Sequence, residues 1–339
     1  MAFVLTFLIR RLAQGVVIVL LVTFLIFTLL RVIPGDPVRI MLGPATTQAV
    51  VEARAQELGL RDSIPEQFVR YIAKAVQGDF GQSYFIGETG IALTAQNVVG
   101  GKGQDTATEQ REAKMTRAGV LKVIGDGMPY TLMLAGMGLL FTLLMAVPLG
   151  IAAGLNQEKW QDRLAFFIGS VFISLPNFWL ALVLILLITA RAGLLPSIGY
   201  KGFAYVILPA IVLAVELAPI IIRGLSMSIA QALQAGYVSG GIVRGLPWRQ
   251  IIVRHVLRNS SIPMLNLFGV QIGGLLLGGV FVTEFVFDYP GVGRSTVQAV
   301  LQRDFPVIQG VAILAASILV LANIMVDLAS TFIDRRLKF

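Results

Sequence analysis

Six stretches of this chain are long, apolar and almost free of charge. Leu12–Leu30, Tyr130–Leu155, Leu164–Ala190, Gly202–Ile222, Ser260–Thr283 and Phe305–Val326 span 19, 26, 27, 21, 24 and 22 residues, and the one charge among them is Glu216. A helix needs about 20 apolar residues to cross the hydrocarbon core of a bilayer, so all six qualify. The first ends in Arg31-Val32-Ile33-Pro34 without a small-residue cleavage site. It is therefore expected to stay as a transmembrane helix and not to be removed as a signal peptide. Composition agrees. Of 339 residues, 56% are hydrophobic and 14% charged, whereas soluble domains run at about 45–50% and about 25%. The expectation is an all-α polytopic membrane protein with six transmembrane helices.

Six spans put both termini on one side, and basic residues say which. With the N-terminus inside, the short inner segments hold Arg10, Arg11, Lys159, Arg163, Arg223, Arg244, Arg249, Arg254, Arg258, Arg335, Arg336 and Lys338, which is 12 basic residues. The short outer loops hold four, Arg191, Lys201, Arg294 and Arg303. The positive-inside rule then predicts both termini in the cytoplasm. The net charge of +8 and the pI near 10 raise nucleic-acid binding at first sight. The excess resides in the inner segments, so it reads as topology and no nucleic-acid partner is expected.

The boundaries follow. Residues 1–33 carry the first helix, 34–127 an external segment, 128–333 a five-helix core with an inner loop at 223–259, and 334–339 a cytoplasmic tail. Within the external segment, Thr46–Leu60 has helical character with Gly59 near its stop. Glu66–Gln77 sets Phe68, Tyr71, Ile72 and Ala75 on one face, the spacing of an amphipathic helix. Gly87–Arg117, with Gly100-Gly101-Lys102-Gly103 and a polar run after it, reads as a flexible insert. It is not a phosphate-binding loop, because Gly103 follows Lys102 where Ser or Thr belongs and Gln96 stands where the first glycine belongs.

Several chemistries are excluded. Cysteine is absent and histidine occurs once, as His255, so thiolate nucleophiles and multi-histidine metal sites are ruled out. No nucleophile–base pair is visible for an enzyme of the membrane interior. The spans do carry breakers: Pro148, Pro176, Pro209 with Pro219, Pro263 and Pro306. Transport bundles use such prolines often, at sites where neighbouring helices compensate. The fifth span repeats glycine at Gly269, Gly273, Gly274, Gly278 and Gly279. That makes a groove for close approach of a helix from the same chain or from a second subunit. Its polar residues Asn266 and Gln271 either line a pathway or bond to neighbours. Glu216 is the ionisable group well inside a span, a functional candidate by default.

The inner loop places Ile242, Val243 and Leu246 beside Pro247-Trp248-Arg249 and Arg254-His255-Val256-Leu257-Arg258-Asn259. Apolar side chains set among basic ones suggest a docking surface for a protein, with the anionic inner leaflet as rival. Gly245-Leu246, the Arg254–Asn259 run and Pro263 resemble the EAA-type loop of permease subunits of ABC importers. The dipeptide/oligopeptide/nickel branch is most similar. Three further stretches carry the resemblance: Ile33-Pro34-Gly35-Asp36-Pro37, then Leu58-Gly59-Leu60 with Gly78-Asp79-Phe80-Gly81-Gln82-Ser83, then Tyr289-Pro290-Gly291-Val292-Gly293-Arg294 with Arg303–Gly310.

The resemblance implies a type I importer permease in the bacterial inner membrane. It implies pairing with a homologous second permease, two ATPase subunits below, and a substrate-binding protein outside. It implies no cofactor and no catalytic residue in this chain, with ATP and magnesium in the partner. It also implies that Tyr237, Ile242, Val243, Arg244, Gly245, Leu246, Trp248 and Arg249 form the coupling surface; Glu216, Asn266 and Gln271 stand as pathway candidates on their polarity inside the spans alone. The alternative is a proton-coupled secondary transporter using Glu216. One departure stands out. The acidic and arginine positions usual around Tyr237 are lost, and Gly240 and Gly241 weaken the coupling helix by about 2 kcal/mol.

Overall fold

A computed structural model describes residues 2–32, 38–39, 46–57, 59–87 and 117–333. The motif Ile33–Pro37, Leu58, most of the insert and the tail residues Asp334, Arg335, Arg336 and Lys338 lie outside the described residues.

Helices occupy all six apolar runs. They are α1 Ala2–Val32, α4 Val120–Leu155, α5 Trp160–Ser174 with α6 Asn177–Leu184, α7 Ala204–Leu233, a helical stretch from α9 Trp248–Gln250 through α10 Leu257–Gly274 to α11 Val280–Val286, and α13 Phe305–Ile333. The shorter helices are α2 Gln48–Glu57, α3 Ile64–Val76, α8 Gly236–Val243 and α12 Val292–Gln302. Among the described residues four of these are long and apolar enough to cross a membrane, and the bent pair Trp160–Ser174 with Asn177–Arg191 makes a fifth if it is one span; six were expected, and the run Ser260–Thr283, divided between α10, a π-helical stretch and α11, is not among them.

The third run was expected as one span over Leu164–Ala190. It is broken instead, by a 94° bend between α5 and α6. Leu175 is extended, with ψ 119°, and Pro176 follows at φ −64°. Proline has no N–H to continue the ladder and forces the residue before it out of the helical region. Pro209, Pro219 and Pro263 lie inside unbroken helices, whereas Pro306 is the second residue of α13, where no helical bond is lost. Among the described residues three stretches are π-helical, Ile185–Arg191, Ile251–Val256 and Leu275–Gly279.

The chain divides into two compact units. The larger comprises Met1–Arg11, Tyr130–Arg294 and Ile318–Phe339. Its centre is α7, with 16 of 30 residues buried. Neighbours reach α7 at glycines: a Cβ on Gly138 would stand 2.9 Å from Leu213 Cβ, and one on Gly154 2.7 Å from Ile229 Cβ. The glycine repeat of the fifth span works within the chain. A Cβ on Gly269 would lie 2.3 Å from Val326 Cγ2, and one on Gly273 2.4 Å from Leu319 Cδ1, both on α13.

The second unit comprises Leu12–Pro129 and Ser295–Ser317. Here α3 begins at Ile64, two residues before the expected Glu66. The Glu66 carboxylate accepts the Ser63 N–H at 3.1 Å and its hydroxyl at 2.8 Å, the arrangement of a capping box. Phe68 and Tyr71 then pack edge-on or tilted against Phe24 and Phe27 of α1. Val38, Val51 and Ala55 make a small core with Leu60. A two-stranded antiparallel pair, β1 Gln82–Gly87 and β2 Arg117–Gly119, flanks the insert, an element an all-α expectation did not contain. Asp304 fastens it to the start of α13. Its buried carboxylate accepts the Ser83 hydroxyl and the Tyr84 N–H.

Two predictions follow from this packing. Gly269→Leu should lower thermal stability in detergent by about 1–3 kcal/mol, because Val326 occupies the space, whereas Gly274→Ala, with nothing within 4 Å, should not. Burial pushes the Asp304 carboxyl above its usual range, against the pull of its hydrogen bonds. The folded state then holds a proton the unfolded chain has released. Stability should fall as pH rises from the ordinary carboxylate range through the raised value. Asp304→Asn, which accepts a hydrogen bond but does not ionise, should flatten that slope.

Candidate coupling surface and transport groove

The inner loop forms a short helix, α8, in spite of its two glycines. Ala235 enters it in extended conformation, with ψ 145°. It ends because Gly245 takes φ +71°. The Gly245 N–H donates to Ile242 C=O at 2.9 Å and the Leu246 N–H to Gly241 C=O at 3.1 Å. This paired closure is a Schellman motif, which needs a left-handed residue and so favours glycine. Pro247 opens the next helix, with Ile251 N–H donating to its carbonyl at 3.2 Å.

One face of α8 is buried through Val238 and Gly241, against Ile251. The other projects. Tyr237, Ile242, Val243, Arg244, Gly245, Trp248 and Arg249 are exposed together, Val243 to 88%. Leu246 is not with them; it turns inward onto the core around Ile251 and Ile229. The two glycines differ. A Cβ on Gly240 meets nothing, while one on Gly241 would stand 3.3 Å from Ile251 Cδ1. Beside the helix lies an open basic hollow of about 660 Å³, lined by Pro247, Arg249, Gln250, Val253, Arg254 and Arg258.

A second cavity of about 660 Å³ runs along α7 between α5 and α10. Its floor carries Ile220, Arg223 and Met227, and its walls include Phe166, Ser170 and Ile173 on α5 and Leu267 on α10. Glu216 stands one turn before Ile220. Its carboxylate occupies the space a Cβ on Gly279 would take, 2.6 Å from Oε2, and bonds to the Asn177 side chain at the start of α6. Its buried Oε2 has no hydrogen-bond partner. Asn266 is exposed and Gln271 half-buried on α10; neither lines this cavity. The three pathway candidates are thus not gathered at one point. Among the described residues, no three His, Asp or Glu side chains come close enough to hold a metal.

Sequence reading missed Glu284. This residue is fully buried, and its Oε2 accepts the N–H groups of Gly293 at 2.7 Å and Arg294 at 3.2 Å. A Cβ on Gly291 would lie 2.1 Å from the carboxylate. The Tyr289–Arg294 motif is therefore a glycine cradle closed round one carboxylate, at the N-terminus of α12 where negative charge is favoured. Next to it, Tyr130, Tyr200 and Tyr289 pack edge to face with centroids 5.1–6.1 Å apart. The signal available was two glycines flanking a helix start nine residues after a lone acid.

Known proteins share this sequence and arrangement. Residues 146–339 match the family described as binding-protein-dependent transport system inner membrane component, and residues 4–88 match the N-terminal region of such membrane components. The glutathione transport system permease protein GsiC of Escherichia coli (strain K12) is 30% identical over 335 residues, covering 99% of each chain. The "Probable peptide ABC transporter permease protein y4tP" of Sinorhizobium fredii is 29% identical over 341 residues, covering 98% of this chain and 99% of the other. Among solved structures, an inward-facing MetNI methionine ABC transporter chain aligns with a TM-score of 0.53 and 18% identity, over 63% of this chain and 97% of that one. With a helix at every expected span and family matches over more than half its length, the chain belongs to the inner-membrane permease components of binding-protein-dependent ABC importers.

Proposed function

We propose that this permease forms one half of the pathway of an ATP-driven importer for short peptides or a related small solute. The printed names of the E. coli and S. fredii relatives, for glutathione and for peptide transport, support that substrate class. In this reading a homologous permease completes the pathway, two ATPase subunits bind the inner face, and a substrate-binding protein delivers solute outside. ATP and magnesium are held by the ATPases, and this chain has no ATPase site of its own. Both termini lie in the cytoplasm, supported by 12 basic residues on the inner segments against four outside.

The observation that carries the proposal is α8. A Schellman-closed helix with Val243 at 88% exposure and Tyr237, Ile242 and Trp248 around it is an apolar knob on a basic rim. In water that surface is a liability unless a partner covers it. Its occupant is an ATPase groove, which would move α8 as ATP binds.

Val243→Asp should therefore abolish co-purification of the ATPase subunit while leaving the permease in the membrane. Retention of the ATPase at wild-type yield would sink the docking assignment. The glycines make a finer test. Gly240→Ala should strengthen ATPase binding up to about fivefold, the equivalent of about 1 kcal/mol of helix propensity. Gly241→Ala should gain less or lose affinity, because Ile251 must move to admit the methyl group.

A further inference from the structure

Three arginines before the fifth span converge on one hollow. Arg249, Arg254 and Arg258 line it with Pro247, Gln250 and Val253, around a volume of about 660 Å³. In a regular α-helix Arg249 and Arg258, nine residues apart, would stand about two and a half turns apart and so on opposite faces. Between them Ile251–Val256 is π-helical. Its i→i+5 bonds put more residues into each turn, and the wider turn brings the three arginines to one side. The inner loop 223–259 holds no Asp or Glu. All three arginines are exposed, and none makes an ion pair among the described residues. Like charges held this close repel one another, and an anion between them relieves that. The depth of the hollow narrows the choice of anion. Arg258 lies two residues before the apolar run that starts at Ser260, about 3 Å along a helix. Trp248 and Val253 beside it are 52% and 58% exposed. Arginine and tryptophan with an open aliphatic side chain are the residues of a membrane–water interface on its cytoplasmic side. The surface assigned to the ATPase is centred elsewhere, on Val243 at the end of α8.

We propose that this hollow binds the headgroup phosphate of an anionic phospholipid of the inner leaflet. Guanidinium forks take phosphate oxygens in pairs, and basic pockets at the cytoplasmic ends of spans suit anionic headgroups. The π-helical turn is then the device that builds the site, because it gathers arginines that an α-helix would scatter. The inner-face placement of the loop names the leaflet; the binding itself does not depend on which solute the importer carries.

The test uses the complete importer, permeases and ATPases together, in phosphatidylcholine nanodiscs doped with a photoactivatable phosphatidylglycerol. Crosslinked peptides are mapped by mass spectrometry, so labelling is read at the segment 247–258 alone. Wild type should be labelled there, and unlabelled phosphatidylglycerol should compete whereas added phosphatidylcholine should not. Arg254→Gln combined with Arg258→Gln should weaken phosphatidylglycerol binding at this segment about 25-fold, about fivefold per arginine. Arg10→Gln combined with Arg163→Gln removes the same charge from two exposed inner positions outside the hollow and should leave the labelling unchanged. Equal weakening by both pairs would show diffuse surface charge and overturn the site. Equal competition by the two lipids in wild type would overturn it even if the Gln pair failed to assemble. Loss of the ATPase from the Arg254→Gln, Arg258→Gln importer, with lipid labelling of the segment unchanged, would give the hollow to the ATPase and overturn the lipid assignment.

Discussion

Helices in lipid gain little by burying apolar surface against each other, since the acyl chains are as apolar as leucine. What holds them is close contact, and here it is made at glycines. Gly138 and Gly154 bring α4 against α7, and Gly269 and Gly273 bring α10 against α13. The first pair brings α4 so close that Leu213 and Ile229 of α7 fill the space a side chain would take. The same economy explains Gly279, whose missing side chain is replaced by the Glu216 carboxylate. Packing and chemistry are thus set by the same residues.

Two carboxylates of the larger unit show how a fold can treat similar groups differently. Glu284 is enclosed by the turn that follows it, with backbone N–H groups of Gly293 and Arg294 directed at one oxygen. That arrangement fixes the start of α12 and uses the charge structurally. Glu216 has a single side-chain partner, Asn177, at the point where Pro176 breaks the third span. A broken helix beside a π-helical stretch at Leu275–Gly279 is the kind of local irregularity that recurs at functional positions.

Much of this was legible in the sequence because it is local. The six apolar runs and the face shared by Phe68 and Tyr71 depend on neighbours a few residues away. The sharp bend at Pro176 was half legible: proline announces a break, but its angle depends on what packs around it. The partners of Gly269 and Gly273 lie more than 40 residues downstream, and the sequence left open whether they belonged to this chain. The cradle round Glu284 and the clamp from Asp304 to Ser83 were not legible. The clamp joins residues more than 200 positions apart, and the cradle, though local, is marked only by glycines whose turn geometry the sequence does not state. The surface around α8 was legible as a set of residue types, but Leu246 turned inward, because the Schellman closure directs the residue after the glycine back to the core.

The central claim is that solute moves through this permease only when an ATPase drives it. The direct measurement is uptake of a labelled tripeptide into proteoliposomes holding the full importer, with ATP inside the compartment that faces α8. Uptake should require the binding protein and cease when the catalytic residue of the ATPase is replaced, with a proton gradient alone giving none. Uptake that continues with the inactive ATPase and follows a proton gradient would contradict the account, and would instead make Glu216 the proton-carrying group of a secondary transporter.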